Sequence, residues 1–472
     1  MDPPSAGAAQ SSPSAPAHPP RIFISVAEQS ADEHAAALVR AFHKRQPDAR
    51  FVGLTGPALR AAGCETFHDM TARSAMALAA IRRVPEALRL LYRLRRYFAA
   101  ERFDAAVLVD SPTLNLPIAR LCRRAGLPVL YYIAPQTWAW AAWRNKKIRR
   151  RVSRLACIWP FEEGYFRQHG IPATYVGHPS FDHLLGLRID DAKVAALRAA
   201  GTPVITLLPG SRAHVVREVF PGQLEAFARL KKKFVHACGL VVPANYEMRC
   251  LIGAILADSP QAKGVEVITD VEDEAASSRA APSSDLPFGG PIEHKHAGVT
   301  GVTSPTAVSV AGAQSLETPA RQEPRPPGAA RPEGRGSSID RLAGLRATAI
   351  RAADVVFVAS GTVTLEVAYH AVPMIVMYNA SRWLYKLIGR RLIRTPFLSI
   401  PNILAGRRIV PELMPYYRTV DPVIAAANEW LSTPATLARI RQELADLIRP
   451  IIKPGAADNA AAELAALLPA RR

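Results

Sequence analysis

Short apolar runs alternate with segments of helical spacing along most of this chain. The first series has apolar runs at 22–26, 51–54, 105–109, 129–133 and 155–159, separated by helical segments such as 84–100 and 116–125. A second series has apolar runs at 204–208, 235–242, 265–268, 355–358 and 374–377, with helices expected over 218–230, 246–257 and 362–370. Such alternation is typical of parallel, doubly wound sheets. The chain is therefore predicted to be an α/β protein with two Rossmann-like, doubly wound domains.

Segments of different composition interrupt the two series. Residues 1–20 have no basic start and no apolar centre, so a disordered tail is expected rather than a signal peptide. Residues 271–340 are rich in Pro, Gly, Ser, Ala and charged residues, which cannot form a core, and are predicted to be a disordered surface insertion. The predicted domains are 21–185 and 202–450, the second of which contains the insertion. A C-terminal helix within 451–472 could cross back to the first domain.

The charge indicates an anionic partner. The chain has 472 residues and a formal net charge of +19, and it contains no apolar run long enough to span a bilayer. Nucleic acid, an anionic membrane surface or a phosphorylated substrate would suit this charge, and solvated helix faces would explain it equally well. Nucleic acid is not expected, because no recognisable nucleic-acid-binding module occurs. Five scattered cysteines without C-x-x-C spacing indicate reduced thiols in a cytosolic protein and no structural zinc.

One turn in the second series suits a diphosphate. The motif "LLPGSR" at 207–212 follows an apolar run and precedes a helical one. Its glycine allows a tight turn, Ser211 can cap the helix, and Arg212 can pair with a diphosphate. Taken alone, the motif is more typical of an ordinary connection between a strand and a helix.

A second turn strengthens the nucleotide interpretation. Ser360, Gly361 and Thr362 open a helix after an apolar strand, and their N–H groups and hydroxyls suit a phosphate. Glu366 lies one turn further and could accept hydrogen bonds from ribose hydroxyls, although a solvent-facing glutamate is the simpler interpretation. Two such turns in one domain favour a nucleotide diphosphate.

The first domain offers a candidate base. Asp110 follows the run 105–109, at the end of a strand where ligands bind in open α/β sheets. Its carboxylate could act as a general base, although an N-cap is the more common role of an isolated aspartate. The first strand is followed by "AEQSAD", a turn without glycine, in which Ala27 and Ala31 are expected to avoid positive φ.

Two stretches combine aromatic and basic residues. Residues 131–152 contain three tryptophans and then a basic run, which suits stacking on a sugar or base, or a membrane interface. The alternative is a set of core aromatic residues followed by a solvated helix. Residues 380–397 have an amphipathic pattern typical of a membrane interface, and a packed helix with a basic outer face explains it comparably well.

Five motifs in this order resemble the lipid-A-disaccharide synthase family. They are "YYIAPQTWAW", "PFE" followed by "VGHP", "LLPGSR", "SGTVTLE" and "LSIPNILAGRRIVPEL". The resemblance implies a GT-B fold and an inverting glycosyl transfer from UDP-2,3-diacylglucosamine to 2,3-diacylglucosamine 1-phosphate. The products would be the β-1,6-linked lipid A disaccharide precursor and UDP. No metal or other cofactor is implied.

The resemblance also implies roles for individual residues. Asp110 matches the family's essential aspartate and becomes the candidate catalytic base. The nucleotide-sugar site would comprise Ser211, Arg212, Ser360, Gly361, Thr362, Glu366, Asn402 and Gln136. The acceptor side would comprise Glu28, Ser30, Asp32 and Asn115. Because the substrates carry acyl chains, the protein is expected to be cytoplasmic and peripheral on the anionic inner-membrane surface. The sequence does not decide between a monomer and a homodimer.

The first domain departs from the family pattern. The family's "GEASGD" reads "AEQSAD" here, and its "DxPxFN" reads "DSPTLN". These departures lie in the domain expected to bind the acylated sugar phosphate acceptor, whereas the motifs expected to bind the UDP-sugar donor nearly match the family. Two alternatives stay open: a GT-B glycosyltransferase with a different acceptor, and a nucleotide-sugar-binding paralogue with weak or no catalysis.

Overall fold

Two parallel sheets, each covered by helices, make up the described part of the protein. The structure is a computed structural model and describes residues 18–69, 84–268, 338–379 and 395–468. The chain divides into two compact units, residues 1–269 with 342–472, and residues 270–341. Both sheets belong to the first unit, and only the start of one helix is described in the second.

The first sheet has seven parallel strands in the order β3-β2-β1-β4-β5-β6-β7. They are β1 Arg21–Ser25, β2 Arg50–Thr55, β3 Glu65–Asp69, β4 Ala105–Val109, β5 Val129–Tyr132, β6 Arg154–Cys157 and β7 Ala173–Tyr175. The strand order reverses between β1 and β4. Both of these strands are buried along almost their whole length, as expected for a sheet covered on two faces.

The second sheet has six parallel strands in the order β10-β9-β8-β11-β12-β13. They are β8 Val204–Leu208, β9 Cys238–Val241, β10 Val265–Val267, β11 Val355–Ala359, β12 Met374–Met377 and β13 Glu412–Leu413. Here the order reverses between β8 and β11. The two sheets thus repeat one topology, the doubly wound one, and the predicted fold class is confirmed.

The helices follow the strands in alternation. In the first half they are α1 Gln29–Arg45, α2 Pro57–Ala61, α3 Val84–Ala100, α4 Pro112–Arg124, α5 Asn145–Arg151, α6 Pro160–Gln168, α7 Pro179–Gly186 and α8 Asp191–Ala199. In the second half they are α9 Ala213–Lys231, α10 Tyr246–Ala257, α11 Ser338–Ala352, α12 Val363–Tyr369, α13 Ile400–Ala405, α14 Asp421–Ser432, α15 Pro434–Ile448 and α16 Ala456–Ala465.

The C-terminal helix α16 packs on α1 of the first sheet. Its Asn459 side chain donates a hydrogen bond to the Val176 carbonyl at 2.9 Å. Glu463 pairs with Arg154 of β6 at 2.7 Å. The last described helix therefore packs against the half of the molecule that contains the first sheet.

Hydrophobic periodicity located the long elements well and missed the short ones. The strand Ala105–Val109 and the helix Tyr246–Ala257 have the predicted bounds. The strands β3, β7 and β13 were not predicted, because β3 is polar and partly exposed while β7 and β13 have three and two residues.

Three predicted segments lie largely or wholly outside the described residues: the tail, the insertion at 271–340 and the amphipathic segment at 380–397. Helix α11 begins at Ser338, so the last residues of the predicted insertion are helical. The domain boundaries stay predictions.

Candidate active site

The first candidate site lies where the strand order of the first sheet reverses. Ser25 of β1 pairs in register with Leu108 of β4, so the turns that follow these strands lie side by side. Such a reversal is where doubly wound folds bind ligands. We call the turns after β1, β4 and β5 (residues 27–32, 110–111 and 133–145) the first edge.

Asp110 has a strained backbone. Asp110 and Ser111 have φ values of 50° and 44°, in the left-handed region that non-glycine residues seldom occupy. The Asp110 N–H donates to the Tyr132 carbonyl at 3.0 Å, and its own carbonyl accepts from the Tyr131 hydroxyl at 2.5 Å. Ser111, rather than Asp110, is the N-cap residue of α4, and no side chain caps this helix. The simple capping role is therefore not the one that Asp110 has.

The Asn115 side chain stabilises this backbone by hydrogen bonds. Its amide nitrogen donates to the carbonyls of Val109 at 2.9 Å and Asp110 at 2.8 Å. Its amide oxygen accepts from the Ser25 hydroxyl at 2.7 Å. Asn115 is fully buried, and its hydrogen bonds fasten α4 to the ends of β1 and β4. Its assignment to the acceptor side stays a prediction. No pattern in the sequence indicated the roles of Ser25 and Tyr131.

The environment of Asp110 changes its acidity. Burial raises the pKa of the Asp110 carboxyl above its ordinary value. A hydrogen bond from the Ser111 N–H lowers the pKa, and the negative charge of Glu28 raises it again. A carboxylate whose pKa is raised accepts a proton more readily, which suits a general base.

The glycine-free turn of the first edge adopts ordinary backbone conformations. Neither Ala27 nor Ala31 has a positive φ, so the prediction that both avoid the left-handed region is confirmed. Glu28 is extended, with φ −132° and ψ 158°, and precedes α1 as its N-cap residue. Glu28 and Ser30 are exposed and are available to a ligand.

Asp32 has a different role from the predicted one. Its carboxylate is almost fully buried and accepts hydrogen bonds from the backbone N–H groups of Gly56 at 2.9 Å, Ala58 at 2.7 Å and Leu59 at 3.3 Å. The Asp32 carboxylate therefore supplies hydrogen-bond acceptors to the N–H groups at the start of α2, which have no partners within that helix. Asp32 supports the fold and does not face an acceptor.

The tryptophan-rich loop after β5 divides into buried and exposed parts. Trp138 is partly buried, while Trp140 and Trp143 are 39% and 60% exposed. Gln136, the predicted donor contact in this loop, is exposed. The alternative of a purely internal aromatic cluster is therefore wrong for two of the three tryptophans.

The second candidate site lies at the equivalent reversal of the second sheet. Leu208 of β8 pairs in register with Val358 of β11, so the turns containing the "PGSR" and "SGT" motifs are neighbours. We call these turns (residues 209–212 and 360–362) the second edge. The edge is open: Ser211, Arg212, Gly361 and Thr362 are exposed, and Ser360 is partly buried.

Gly210 is required by its conformation. It has φ 114°, which favours glycine, and an added Cβ would lie 3.0 Å from Val215 Cγ1 and 3.5 Å from Ala359 Cβ. The closeness of Ala359 also shows that the two turns are in contact range. Helix α9, of nineteen residues, begins directly after this turn with Arg212 as its N-cap residue.

Glu366 is buried rather than solvent-facing. Its Oε2 accepts a hydrogen bond from Arg346 Nε at 2.7 Å, and Oε1 has no partner among the described residues. Arg346 lies on α11, beyond the insertion, and no sequence pattern indicated this pair. A buried carboxylate oxygen without a donor is costly unless a ligand satisfies it.

Asn402 forms a closed internal network. Its amide nitrogen donates to the Val410 carbonyl at 2.9 Å and to Glu412 Oε2 at 3.1 Å. Its amide oxygen accepts from the N–H groups of Ile409 at 2.8 Å and Val410 at 3.0 Å. The side chain is fully buried and all its hydrogen-bonding positions are occupied. It holds the 399–412 loop, which corrects the prediction of direct donor contact.

Comparison with known proteins identifies the family. The family profile described as "Lipid-A-disaccharide synthetase" matches residues 22–281 and 338–463. The chain belongs to this family. The lipid-A-disaccharide synthase of Myxococcus xanthus is 30% identical over 460 residues, which cover 96% of this chain and 99% of that protein. The enzyme of the same name from Neisseria meningitidis serogroup A is 30% identical over 446 residues, 94% of this chain and 96% of that protein.

Solved structures of low sequence identity share the fold. A protein described as a UDP-N-acetylglucosamine 2-epimerase from Listeria monocytogenes has a TM-score of 0.53 at 14% identity and covers 96% of each chain. The S. aureus MnaA protein, in a co-structure with UDP, has a TM-score of 0.52 at 8% identity and covers 93% of this chain and 94% of that one. The architecture is the GT-B fold.

Membership of the family confirms the predicted activity. The protein is a glycosyltransferase that forms the lipid A disaccharide. Within the described ranges, no helix is long and apolar enough to cross a membrane.

Proposed function

We propose that the first edge activates the acceptor hydroxyl and that the second edge holds the UDP of the donor. The donor is UDP-2,3-diacylglucosamine and the acceptor 2,3-diacylglucosamine 1-phosphate. The acceptor oxygen bonds to the anomeric carbon from the face opposite UDP while the bond from that carbon to the diphosphate breaks. The hydroxyl proton passes to a base, and UDP leaves with the electron pair of the broken bond.

Asp110 is the base in this proposal. The observation that carries it is the strained, internally fastened backbone at the reversal of the first sheet, with a partly buried carboxyl of raised pKa. Strain of this kind persists where the surroundings over-determine it and is concentrated at functional sites. Glu28 and Ser30, exposed in the neighbouring turn, are available to orient the acceptor.

The second edge suits the nucleotide. The N–H groups at the start of α9 and the Arg212 guanidinium can stabilise the negative charge of the diphosphate. The unpartnered Oε1 of Glu366 can accept a hydrogen bond from a ribose hydroxyl. The UDP in the MnaA co-structure supports a uridine nucleotide as the ligand of this fold.

The acylated substrates imply work at a lipid surface, so we propose peripheral docking on the anionic, cytoplasmic face of the inner membrane. Helix α3 exposes Leu88 and Tyr92 beside the exposed Arg89 and Arg93. Apolar and basic side chains on one exposed helix suit an anionic interface. The net charge of +19 acts in the same direction.

The test supplies both substrates to the full chain and follows disaccharide and UDP. The wild type should form disaccharide, and Asp110→Asn should lower kcat by about 10²- to 10⁴-fold with unchanged UDP affinity. Release of UDP only with another acceptor would favour the alternative glycosyltransferase. UDP binding without turnover under any condition would favour the non-catalytic paralogue.

A further inference from the structure

The loop after β5 borders the candidate base. β5 is the neighbour of β4 in the parallel sheet, with Val109 paired to Tyr132, so residues 133–145 begin beside Asp110. Burial raises the pKa of the Tyr131 phenol well above its ordinary value, the Asp110 charge raises it further, and the Arg144 charge lowers it. Both charges therefore act on one phenol, whose hydroxyl donates to the Asp110 carbonyl.

This loop shares the strained geometry of Asp110. Five non-glycine residues of the described chain are left-handed, and Ile133 at φ 64° and Ala141 at φ 56° are two of them. Asp110 and Ser111 are two more, so four of the five lie at the first edge. A left-handed β-branched residue such as Ile133 is an outlier that the surroundings must enforce.

Buried hydrogen bonds enforce the loop conformation. The Thr137 hydroxyl donates to the Asn145 amide oxygen at 2.6 Å, and the Asn145 amide nitrogen donates to the Tyr165 hydroxyl at 2.8 Å. Trp138 Nε1 donates to the fully buried Glu162 at 2.9 Å. Thr137 and Asn145 are buried as well. The loop is thus fastened on both sides of residues 140–144.

The loop presents a cation between two aromatic faces. The Arg144 guanidinium carbon lies 4.7 Å from the ring centroid of Trp140 and 5.2 Å from that of Trp143. Lys147 Nζ lies 4.8 Å from the Trp143 centroid. Neither cation forms an ion pair with a carboxylate in the part of the chain that the structure describes. Stacking on the rings restrains the guanidinium and leaves its N–H donors available to an anion.

We propose that Arg144, held between Trp140 and Trp143, binds the phosphate monoester of the acceptor and so selects a phosphorylated sugar. This inference rests on the proposed function, because it assigns a further part of the acceptor site beside Asp110. A planar guanidinium can donate two parallel hydrogen bonds to a phosphate, which gives both affinity and orientation. The exposed tryptophan rings offer apolar faces to the sugar and its acyl chains.

The test compares two acceptors that differ only in the 1-phosphate, dispersed in neutral detergent so that no anionic surface is present. The variants are Arg144→Gln and, as a matched control, Arg150→Gln. Arg150 lies exposed on α5 with no ring contact in the described chain, and its loss changes the net charge equally. For the phosphorylated acceptor, Arg144→Gln should raise KM about 10- to 100-fold, with kcat and UDP affinity nearly unchanged.

The decisive measurement uses the acceptor that lacks the phosphate. With it, Arg144→Gln and the wild type should have similar KM values, so that the preference for the phosphorylated acceptor disappears in the variant. Arg150→Gln should retain the preference. Trp143→Phe keeps an aromatic ring and should change KM for the phosphorylated acceptor little. Trp143→Ala removes the ring and should raise that KM.

Three outcomes would overturn the proposal. Equal KM changes for both acceptors would mean that Arg144 does not recognise phosphate. Unchanged kinetics in detergent, with weaker binding of Arg144→Gln to vesicles containing phosphatidylglycerol, would make the cluster a membrane contact instead. A wild type that turns over neither acceptor would remove the proposed function together with this site, whereas a failure confined to Arg144 would leave that function standing.

Discussion

The two edges of this molecule lie at equivalent positions of the same sheet topology. They differ in the groups that they present to a ligand. At the second edge, Gly210 and Gly361 have φ values of 114° and 156°, and the turns are open. At the first edge, the left-handed positions carry side chains instead, Asp110 and Ser111 among them. One edge offers bare backbone, and the other offers directed side chains.

Under the proposed function, the difference follows from the group that each edge holds. A diphosphate is bound by several N–H groups at close range, which side chains would obstruct. A base must have its functional group held in one orientation, and strain is acceptable there because buried hydrogen bonds offset it. Glycine would supply the backbone conformation of Asp110 without strain, but it has no carboxylate.

After the loss of Asp110 itself, the largest effect should come from loosening its support. Asn115→Leu keeps the approximate volume and removes the hydrogen bonds to the carbonyls of Val109 and Asp110. We expect kcat to fall about 100-fold, because a base displaced by about an ångström loses its geometry, while UDP affinity stays the same. Steady-state kinetics and UDP titration measure the two.

Asn402→Leu is the matched control for that prediction. Asn402 is also a fully buried asparagine that holds a loop, and both variants should lose about 2–4 kcal/mol of unfolding free energy. Equal losses of kcat in the two folded variants would contradict a specific role for Asn115.

The second largest effect should come from closing the second edge. Gly210→Ala adds a Cβ at a φ that disfavours side chains and brings it 3.0 Å from Val215 Cγ1. We expect about 30-fold weaker binding of UDP, equivalent to about 2 kcal/mol of backbone strain. The opposite exchange, Ala27→Gly at the first edge, should leave UDP affinity unchanged. If both exchanges weaken UDP binding equally, the division of labour between the edges is wrong.

A smaller effect is expected for the buried carboxylate of the second half. Glu366→Gln removes the charge that faces Arg346 and weakens acceptance of a ribose hydrogen bond. UDP should bind about fivefold more weakly, since one charge-assisted hydrogen bond is affected. With 2′,3′-dideoxy-UDP, calorimetry should find no difference between the variant and the wild type. A persistent difference would locate the effect in the fold instead of the ribose.

The smallest effect is a shift of the pH profile. Glu28 raises the pKa of Asp110, and a general base works only when it is ionised, so kcat/KM should fall as the pH falls through that pKa. Glu28→Gln removes the like charge and lowers the pKa. The acidic limb should therefore move to lower pH. A move to higher pH would mean that Glu28 does not act on the base through its charge.

Sequence patterns located the parts of both edges but not the direction of their side chains. Asp110, Arg212 and Ser360 could be assigned to the ends of strands from periodicity alone, and the structure has them there. Motif positions carry no information on burial, which is why Asp32 and Asn402 were predicted to meet ligands. Their hydrogen-bonding capacity is satisfied inside the protein.

The sequence by itself determined the two doubly wound sheets, the family and the positions of the motifs, because these depend on local periodicity and on the order of residues. Only the tertiary structure decided which groups meet. Ser25 reaches Asn115 across 90 residues, and Arg346 reaches Glu366 from a helix beyond the insertion. Such contacts depend on sheet register and helix packing. The sequence around each residue does not indicate which distant residue it will contact.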